Sequence, residues 1–510
     1  MALANQKNHP HRSPLPAYRE RGLLLVAACA VWLALRLIYN SLRELVPDEA
    51  YYWVWSRHLV AGYLDHPPMV AWVIRAGTAA FGTNEFAVRF GAAVLMIATI
   101  LVVIVLTQTL TTDWRPARLA GWILILTPFP AVLGTIITPD MPACFFSIGA
   151  LAAAAAASRE NGHKIWWLAF GVFTGLAMDS KYTAVVATGS VAIAVLSTTR
   201  GRRELRSPWL WLGLLASVAI FMPVVLWNQQ HNWASFKFQW HHGSAAPSDA
   251  GTDTTADTTA RLAPLTNLSI YIAGQVALYT PVLFVLGIMA IVSHWRKWSQ
   301  LELPAQMVLL SATLPLLFFG VFSLRHRPEV NWPVFAYLPM TAVLAQWIVQ
   351  EAKAQLWQWL GIGLAVAAGA MVIGQVPEIV LLIPTRMLAT IPSRWEDMFG
   401  WQDYGRALGD RAGAATVYCT SYENAAEAAF YMPGRPEVWT ISTDRPTAYD
   451  FFAGRPDPAS LARVLCVTRA GASDDVPTEL RGFANISREP WQTTALDRVV
   501  RRRRFIIAQR

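Results

Sequence analysis

The sequence predicts a polytopic α-helical membrane protein with about eleven transmembrane helices and a soluble α/β domain at its C-terminal end. Three observations predict it. Hydrophobic residues fill 54% of the 510 positions and charged residues only 15%. The apolar residues gather into runs long enough to cross a hydrocarbon core. The composition then changes once, near Pro384, beyond which charge, Gly and Pro mix as in a water-exposed domain.

In chain order the runs lie near residues 22–40, 86–109, 118–137, 142–157, 165–178, 183–198, 209–227, 269–293, 303–323, 333–349 and 356–384. If the N-terminus lies inside, the cytoplasmic ends collect Arg19 and Arg21, Arg115 and Arg118, Arg159 and Lys164, Arg200 to Arg206, Arg296 and Lys297, and Lys353. That is the positive-inside pattern. The formal charge of +9 therefore reads as a set of topology signals and not as a nucleic-acid surface. The chain divides into a cytoplasmic tail (1–20), a membrane domain (21–384) with outer loops 41–85 and 228–268, and an extracytoplasmic domain (385–510). A multi-pass protein of a bacterial-type inner membrane is expected.

The first outer loop reads LVPDEAYYWVWSRHLVAGYLDHPPMVAWVIRAG. Arg43, Arg57, Arg75 and Arg89 stand here, on the side where basic residues are sparse. They serve either an anionic ligand or pairing with Asp48, Glu49, Asp65 and Glu85 and with lipid headgroups. Tyr51, Tyr52, Trp53 and Trp55 suit a helix lying flat in the headgroup zone, with Asp48 at its start. The bland alternative for Asp48 is a helix cap, and for Glu49 a favourable first-turn charge.

PDEAYYW, followed by GYLDHPPMVAW and later by TPD, resembles the GT-C glycosyltransferases of the protein O-mannosyltransferase and aminoarabinose (lipid A) transferase group. Only the combination is specific, since an Asp-Glu pair alone is common. The resemblance implies a polyprenyl-phosphate sugar donor such as undecaprenyl phosphate, inverting transfer outside the cytoplasm, and no nucleotide-sugar pocket. It makes Asp48 the catalytic carboxylate, which removes a proton from an acceptor hydroxyl. Glu49 then supports its position or charge, and Asp140 of ITPDMPA joins the active site, shaping the sugar pocket or orienting a basic partner. The alternative for Asp140 is an N-cap. Tyr51 and Tyr52 fall among the substrate-binding candidates with the same motif.

Negative charge grows on the phosphate as it leaves, so cations or amide donors must stand near it. The candidates are Arg57 and Arg75, Lys181, His241 and His242, and Arg325 with Arg327 in SLRHRPEVNWP. Asp65 and His66 precede Pro67 and Pro68 where aminoarabinose transferases have an acid followed by lysine, which leaves the phosphate-binding role of that position open. No histidine or cysteine spacing matches a closed metal site, so no metal ligand is assigned and the cofactor stays open.

Loop 228–268 passes from aromatic NQQHNWASFKFQWHHG to small polar SAAPSDAGTDTTADTT, and is expected to be membrane-resting and then mobile. Within the C-terminal domain, ATVYCTS, RVLCVTR and FIIAQR read as strands and YENAAEAAFYM as a helix. GWQDYGRAL reads as an opening amphipathic helix, with Trp395, Phe399 and Trp401 seating it on the membrane part. Arg501 to Arg504 form either a headgroup contact or a solvated strand. Cys419 and Cys466 are either a disulfide or two buried thiols.

A transporter or flippase would place ionisable residues near mid-membrane, whereas the acids here cluster at outer ends. A polymerase or ligase shares the donor chemistry and differs in its acceptor, which is a glycolipid, a polysaccharide or a protein hydroxyl. Membrane lipids are the expected surroundings, and no nucleic acid is expected.

Overall fold

The computed structural model describes residues 15–244, 256–326, 329–383, 395–469 and 476–510. The chain is helical up to Leu382 and α/β beyond Trp395. Its first helices are α1 (Leu15–Ser41), α2 (Pro47–Arg57), α3 (Met69–Phe81), α4 (Glu85–Thr109), α5 (Trp114–Leu126), α6 (Pro128–Leu133) and α7 (Asp140–Ser158). Then come α8 (Trp166–Met178), α9 (Ala184–Ser197), α10 (Thr199–Glu204), α11 (Pro208–Gln230) and α12 (Ala234–Ser244). The membrane part closes with α13 (Ala256–Tyr279), α14 (Pro281–Arg296), α15 (Leu303–Ser323), α16 (Tyr337–Glu351), α17 (Ala354–Gly374) and α18 (Glu378–Leu382).

Among the described residues, six helices are long and apolar enough to cross a membrane, or seven if one bent pair counts as a single span. They are Gly22–Ser41, Glu85–Thr109, Asp140–Ser158, Pro208–Gln230, Leu303–Ser323 and Ala354–Gly374. The bent pair turns by 102° between α13 and α14. Thr280 there adopts φ +66°, and Pro281 restarts the helix without an amide hydrogen to continue the earlier ladder.

The expected count of eleven treated every apolar run as one straight span. Run 118–137 is instead broken at Thr127–Pro128 into α5 and α6, and α8 and α9 have only 13 and 14 residues. α16 is 15 residues long and buried from Tyr337 to Val349. Its apolarity serves the protein core, whereas α1, α11 and α17 leave most of their span exposed, as lipid-facing helices do. Gly171 of α8 and Gly213 of α11 let those helices touch backbone to backbone, since a methyl group on either would run into the other helix's main chain.

The C-terminal domain contains α19 (Trp401–Ala412), α20 (Tyr422–Tyr431) and strands β1 (Thr416–Cys419), β2 (Val438–Thr440), β3 (Arg463–Arg469), β4 (Asn485–Ala495) and β5 (Arg498–Gln509). The sheet order is β2-β1-β3-β5-β4. β1 runs parallel to β2 and β3, while β5 is antiparallel to β3 and β4. Cys419 lies opposite Val467 and Cys466 opposite Tyr418, so the two thiols leave opposite faces of the sheet, and both are buried and free. Arg501 is buried with its guanidinium carbon 3.2 Å from the centre of the Trp401 ring. Neither residue is therefore placed to meet lipid, because the pair fills the domain's own core.

This domain docks on the segment leading into α2. The Glu44 carboxylate accepts from the amides of Trp401 and Gln402 at 2.9 and 3.0 Å, where the positive end of α19 favours an anion. Trp53 packs edge-on against Phe430 at 5.0 Å. Arg57 and His58 both reach Glu437, at 2.5 and 3.2 Å. Glu437→Gln is expected to loosen the domain by roughly 1 kcal/mol or less, because the pair is partly exposed. Faster limited proteolysis after Arg57 or within 395–469 is the readout.

Candidate active site

The site is built around the start of α2. Pro47 occupies the first helical position, and Glu49 reaches back so that its Oε2 accepts from the Val46 amide at 3.1 Å. Glu49 is fully buried. The Arg89 side chain of α4 donates to it from Nε at 2.8 Å and from Nη2 at 2.5 Å, and the Ile137 amide donates at 3.0 Å. The remaining Arg89 donors go to the carbonyl oxygens of Asn40, Arg43 and Glu44. One buried ion pair thus ties the exit of α1, the start of α2, α4 and the approach to α7 together. Glu49 is a structural latch that sets where its neighbour Asp48 stands.

Asp48 is exposed beside that latch. Its Oδ1 accepts from the Tyr422 hydroxyl of α20 at 3.4 Å. Asp65 is buried, and its two oxygens accept from the Tyr51 hydroxyl at 2.9 Å and from Arg445 Nη1 at 2.9 Å. The Tyr51 hydroxyl in turn accepts from the Ala448 amide at 2.6 Å. Asp140 opens α7 and is buried, receiving Lys181 Nζ at 2.7 Å and Asn331 Nδ2 at 2.8 Å. Lys181 is the basic partner that the sequence left unnamed for Asp140.

Tyr52 is the common neighbour. Burial, then the charges of Asp48 and Asp65, the Tyr422 ring and the charge of Asp140, push its hydroxyl well above the ordinary tyrosine range. The hydroxyl therefore stays protonated. The four aromatic residues expected to lie flat among headgroups are instead buried: Tyr51 lies 4.6 Å from Tyr422, and Tyr52 4.9 Å from Trp55. The C-terminal domain covers the face that the sequence left for lipid.

The other candidates divide. His66 stands at the rim, its ring 6.3 Å from Tyr52. Arg57 is engaged with Glu437 and stacked on Trp53, so it serves docking. Arg75 is exposed on α3, two turns beyond Met69. The side chains of His241 and His242 lie outside the described residues, as do Arg327 and the polar stretch 245–255. Arg325 and His326 line an apolar cleft of about 920 Å³ between α9 and α15, with Val185, Ile193, Leu317 and Phe318 among its apolar walls. Both walls adjoin in the chain a residue that bonds Asp140: Lys181 precedes Val185 by four positions, and Asn331 follows Arg325 by six.

Sequence reasoning missed Arg445, Tyr422 and Asn331. Arg445 sits in the loop STDRPTAYD after β2, where nothing distinguishes it from a solvated charge. Burial tends to lower its pKa, but Asp65 with Tyr51 and Tyr422 outweighs that and raises it, so the guanidinium is held charged. Among the described residues, no group of three or more His, Cys, Asp or Glu is arranged to hold a metal ion.

Comparison with known proteins adds to this geometry. Residues 65–227 match the family described as dolichyl-phosphate-mannose-protein mannosyltransferase. A lipid A galacturonosyltransferase of Rhizobium johnstonii is 28% identical over 339 residues, 64% of this chain and 65% of that protein. The undecaprenyl phosphate-alpha-4-amino-4-deoxy-L-arabinose arabinosyl transferase of Edwardsiella ictaluri is 30% identical over 38% of this chain and 39% of its own. The chain thus spans less than two thirds of the length of either relative. In fold it resembles ArnT from Cupriavidus metallidurans bound to undecaprenyl phosphate, with a TM-score of 0.66 and 17% identity over 95% of this chain and 97% of that one.

Proposed function

We propose that this relative of the GT-C glycosyltransferases, the group of the protein mannosyltransferases and the aminoarabinose transferases, moves a sugar from a polyprenyl-phosphate carrier to a hydroxyl of an envelope lipid. One observation carries the reading: the exposed carboxylate Asp48 bonds Tyr422, whose ring lies 4.9 Å from the Arg445 guanidinium paired with Asp65, while Lys181, paired with Asp140, stands four residues before the wall of an apolar cleft lined also by Arg325. A polyprenyl phosphate has that polarity, a long apolar tail ending in an anion.

In this mechanism the prenyl chain lies between α9 and α15, and its phosphate meets Arg325 and the Lys181 side of the site. The acceptor hydroxyl sits at Asp48, the exposed acid. Asp48 takes the hydroxyl proton as that oxygen bonds to the anomeric carbon, and the bond from the anomeric carbon to the phosphate oxygen breaks. The electron pair goes to the phosphate, which stays on the polyprenol as a monoester. Attack opposite the leaving group inverts the anomeric centre. Lys181 and Arg325 offset the charge gathering on the phosphate. Glu49 and Arg89 hold Asp48 in place without touching substrate.

We place the site at the outer face of a bacterial inner membrane. Basic residues at the opposite helix ends and acids at this end support that orientation. The two curated relatives, one named for lipid A and one for an undecaprenyl phosphate sugar, favour a lipid A-type acceptor and an undecaprenyl carrier. Arg325→Ala tests the cleft. It is expected to raise the KM for the polyprenyl-phosphate donor on the order of ten-fold or more, with a smaller change in the KM for the acceptor. Equal donor KM in the variant and the parent would remove the cleft from the account.

A further inference from the structure

Arg445 has a geometry that docking alone does not require. It comes from the C-terminal domain and crosses to Asp65 of the loop between α2 and α3, its Nη1 lying 2.9 Å from Oδ1. The guanidinium lies over two rings, 5.0 Å from Phe238 of α12 and 4.9 Å from Tyr422 of α20. Three separate elements fix its plane. Nη1 also donates to the Pro446 carbonyl, and among the described residues Nε and Nη2 have no acceptor. The side chain keeps 36% of its surface exposed, next to the Tyr422 that bonds Asp48. A planar donor edge held beside two rings and open on one side is a form in which arginine binds carboxylate or phosphate.

We propose that Arg445 is a specificity-determining residue whose open edge receives an oxyanion of the substrate, either a carboxylate on the transferred sugar or a phosphate on the acceptor lipid. This rests on the reading of Asp48 as the base. It assigns the C-terminal domain a part in substrate choice, because the membrane domain alone lacks this cation. Asp65 holds the guanidinium in register, and Phe238 ties the register to α12, which lies within the segment 228–268. Docking rests also on Glu44 and on Glu437 with Arg57 and His58, none of which touches Arg445.

The test uses the purified full chain in proteoliposomes with four substrate combinations. The donors are undecaprenyl phosphate galacturonic acid and undecaprenyl phosphate galactose. The acceptors are lipid A and its fully dephosphorylated form. Arg445→Gln is expected to raise the KM for one charged partner on the order of 10- to 100-fold while its neutral counterpart is unaffected. Arg445→Lys should recover part of the loss. Selectivity on the donor names the sugar carboxylate, and selectivity on the acceptor names the lipid phosphate. Glu437→Gln supplies the pattern of loosened docking. If Arg445→Gln and Glu437→Gln depress all four combinations alike, or if Arg445→Gln changes none, the proposal is overturned. Asp48→Asn run alongside separates the two claims, since undiminished turnover there removes the proposed function, whereas its loss together with an indifferent Arg445 removes only this inference.

Discussion

Asp48→Asn is expected to lower kcat by about 10²- to 10⁴-fold, the range that a positioned general base supplies. Asparagine keeps the shape and an oxygen for the Tyr422 hydroxyl, but it cannot take the acceptor's proton. Because Asp48 is exposed and Glu49 carries the latch, the variant should insert and unfold like the parent. Rates measured in proteoliposomes beside a thermal unfolding curve separate the two effects. A loss in kcat with an unchanged melting temperature is the expected pattern. A parallel loss of both would make Asp48 a helix-start residue and nothing more.

Glu49→Ala should do the reverse and act on stability first. Arg89 and Glu49 are almost wholly shielded from solvent, with side-chain exposures of 2% and 0%. Removing the acid leaves a buried guanidinium without its ion-pair partner, a change worth about 3–5 kcal/mol. Arg89→Met added to Glu49→Gln should restore part of that, because the orphaned charge leaves with it. Thermal unfolding in detergent reads both variants. Should Glu49→Ala unfold at the parent temperature, the latch would have no energetic role.

The membrane class and the two-part organisation were legible because a helix in lipid must be apolar over its whole length, and the sequence records that directly. The number of spans was not. α16 and α17 both read as apolar runs, yet one is wrapped in protein and the other faces outward, and an apolar run alone does not say which. Breaks at Pro128 and Pro281 were visible as prolines, but only packing shows that they end helices.

The candidate site divides in the same way. Asp48, Glu49, Asp65 and Asp140 stand in the motifs PDEAYYW, LDHPP and TPD, and it was the resemblance carried by those motifs together, not their spacing, that pointed to one shared site. Lys181 was legible as a cation at a helix end, although its partner was not. Arg57 looked equally suitable, and only Glu437, 380 residues away, shows where it is used. Arg445 and Tyr422 were beyond reach because they lie in a domain whose folding onto α2 has no local signature. The aromatic run Tyr51 to Trp55 suited an interface with lipid or with protein alike, and α20 decides for protein.

The central claim is that this site breaks the bond between a sugar's anomeric carbon and a polyprenyl phosphate. Mass spectrometry of the lipid fraction tests it, after the purified chain is incubated with undecaprenyl phosphate galacturonic acid and lipid A. The account predicts an acceptor heavier by one sugar residue and a carrier recovered as undecaprenyl phosphate, with neither product formed by Asp48→Asn. An acceptor of unchanged mass with every donor offered, or the same yield from Asp48→Asn as from the parent, would contradict it.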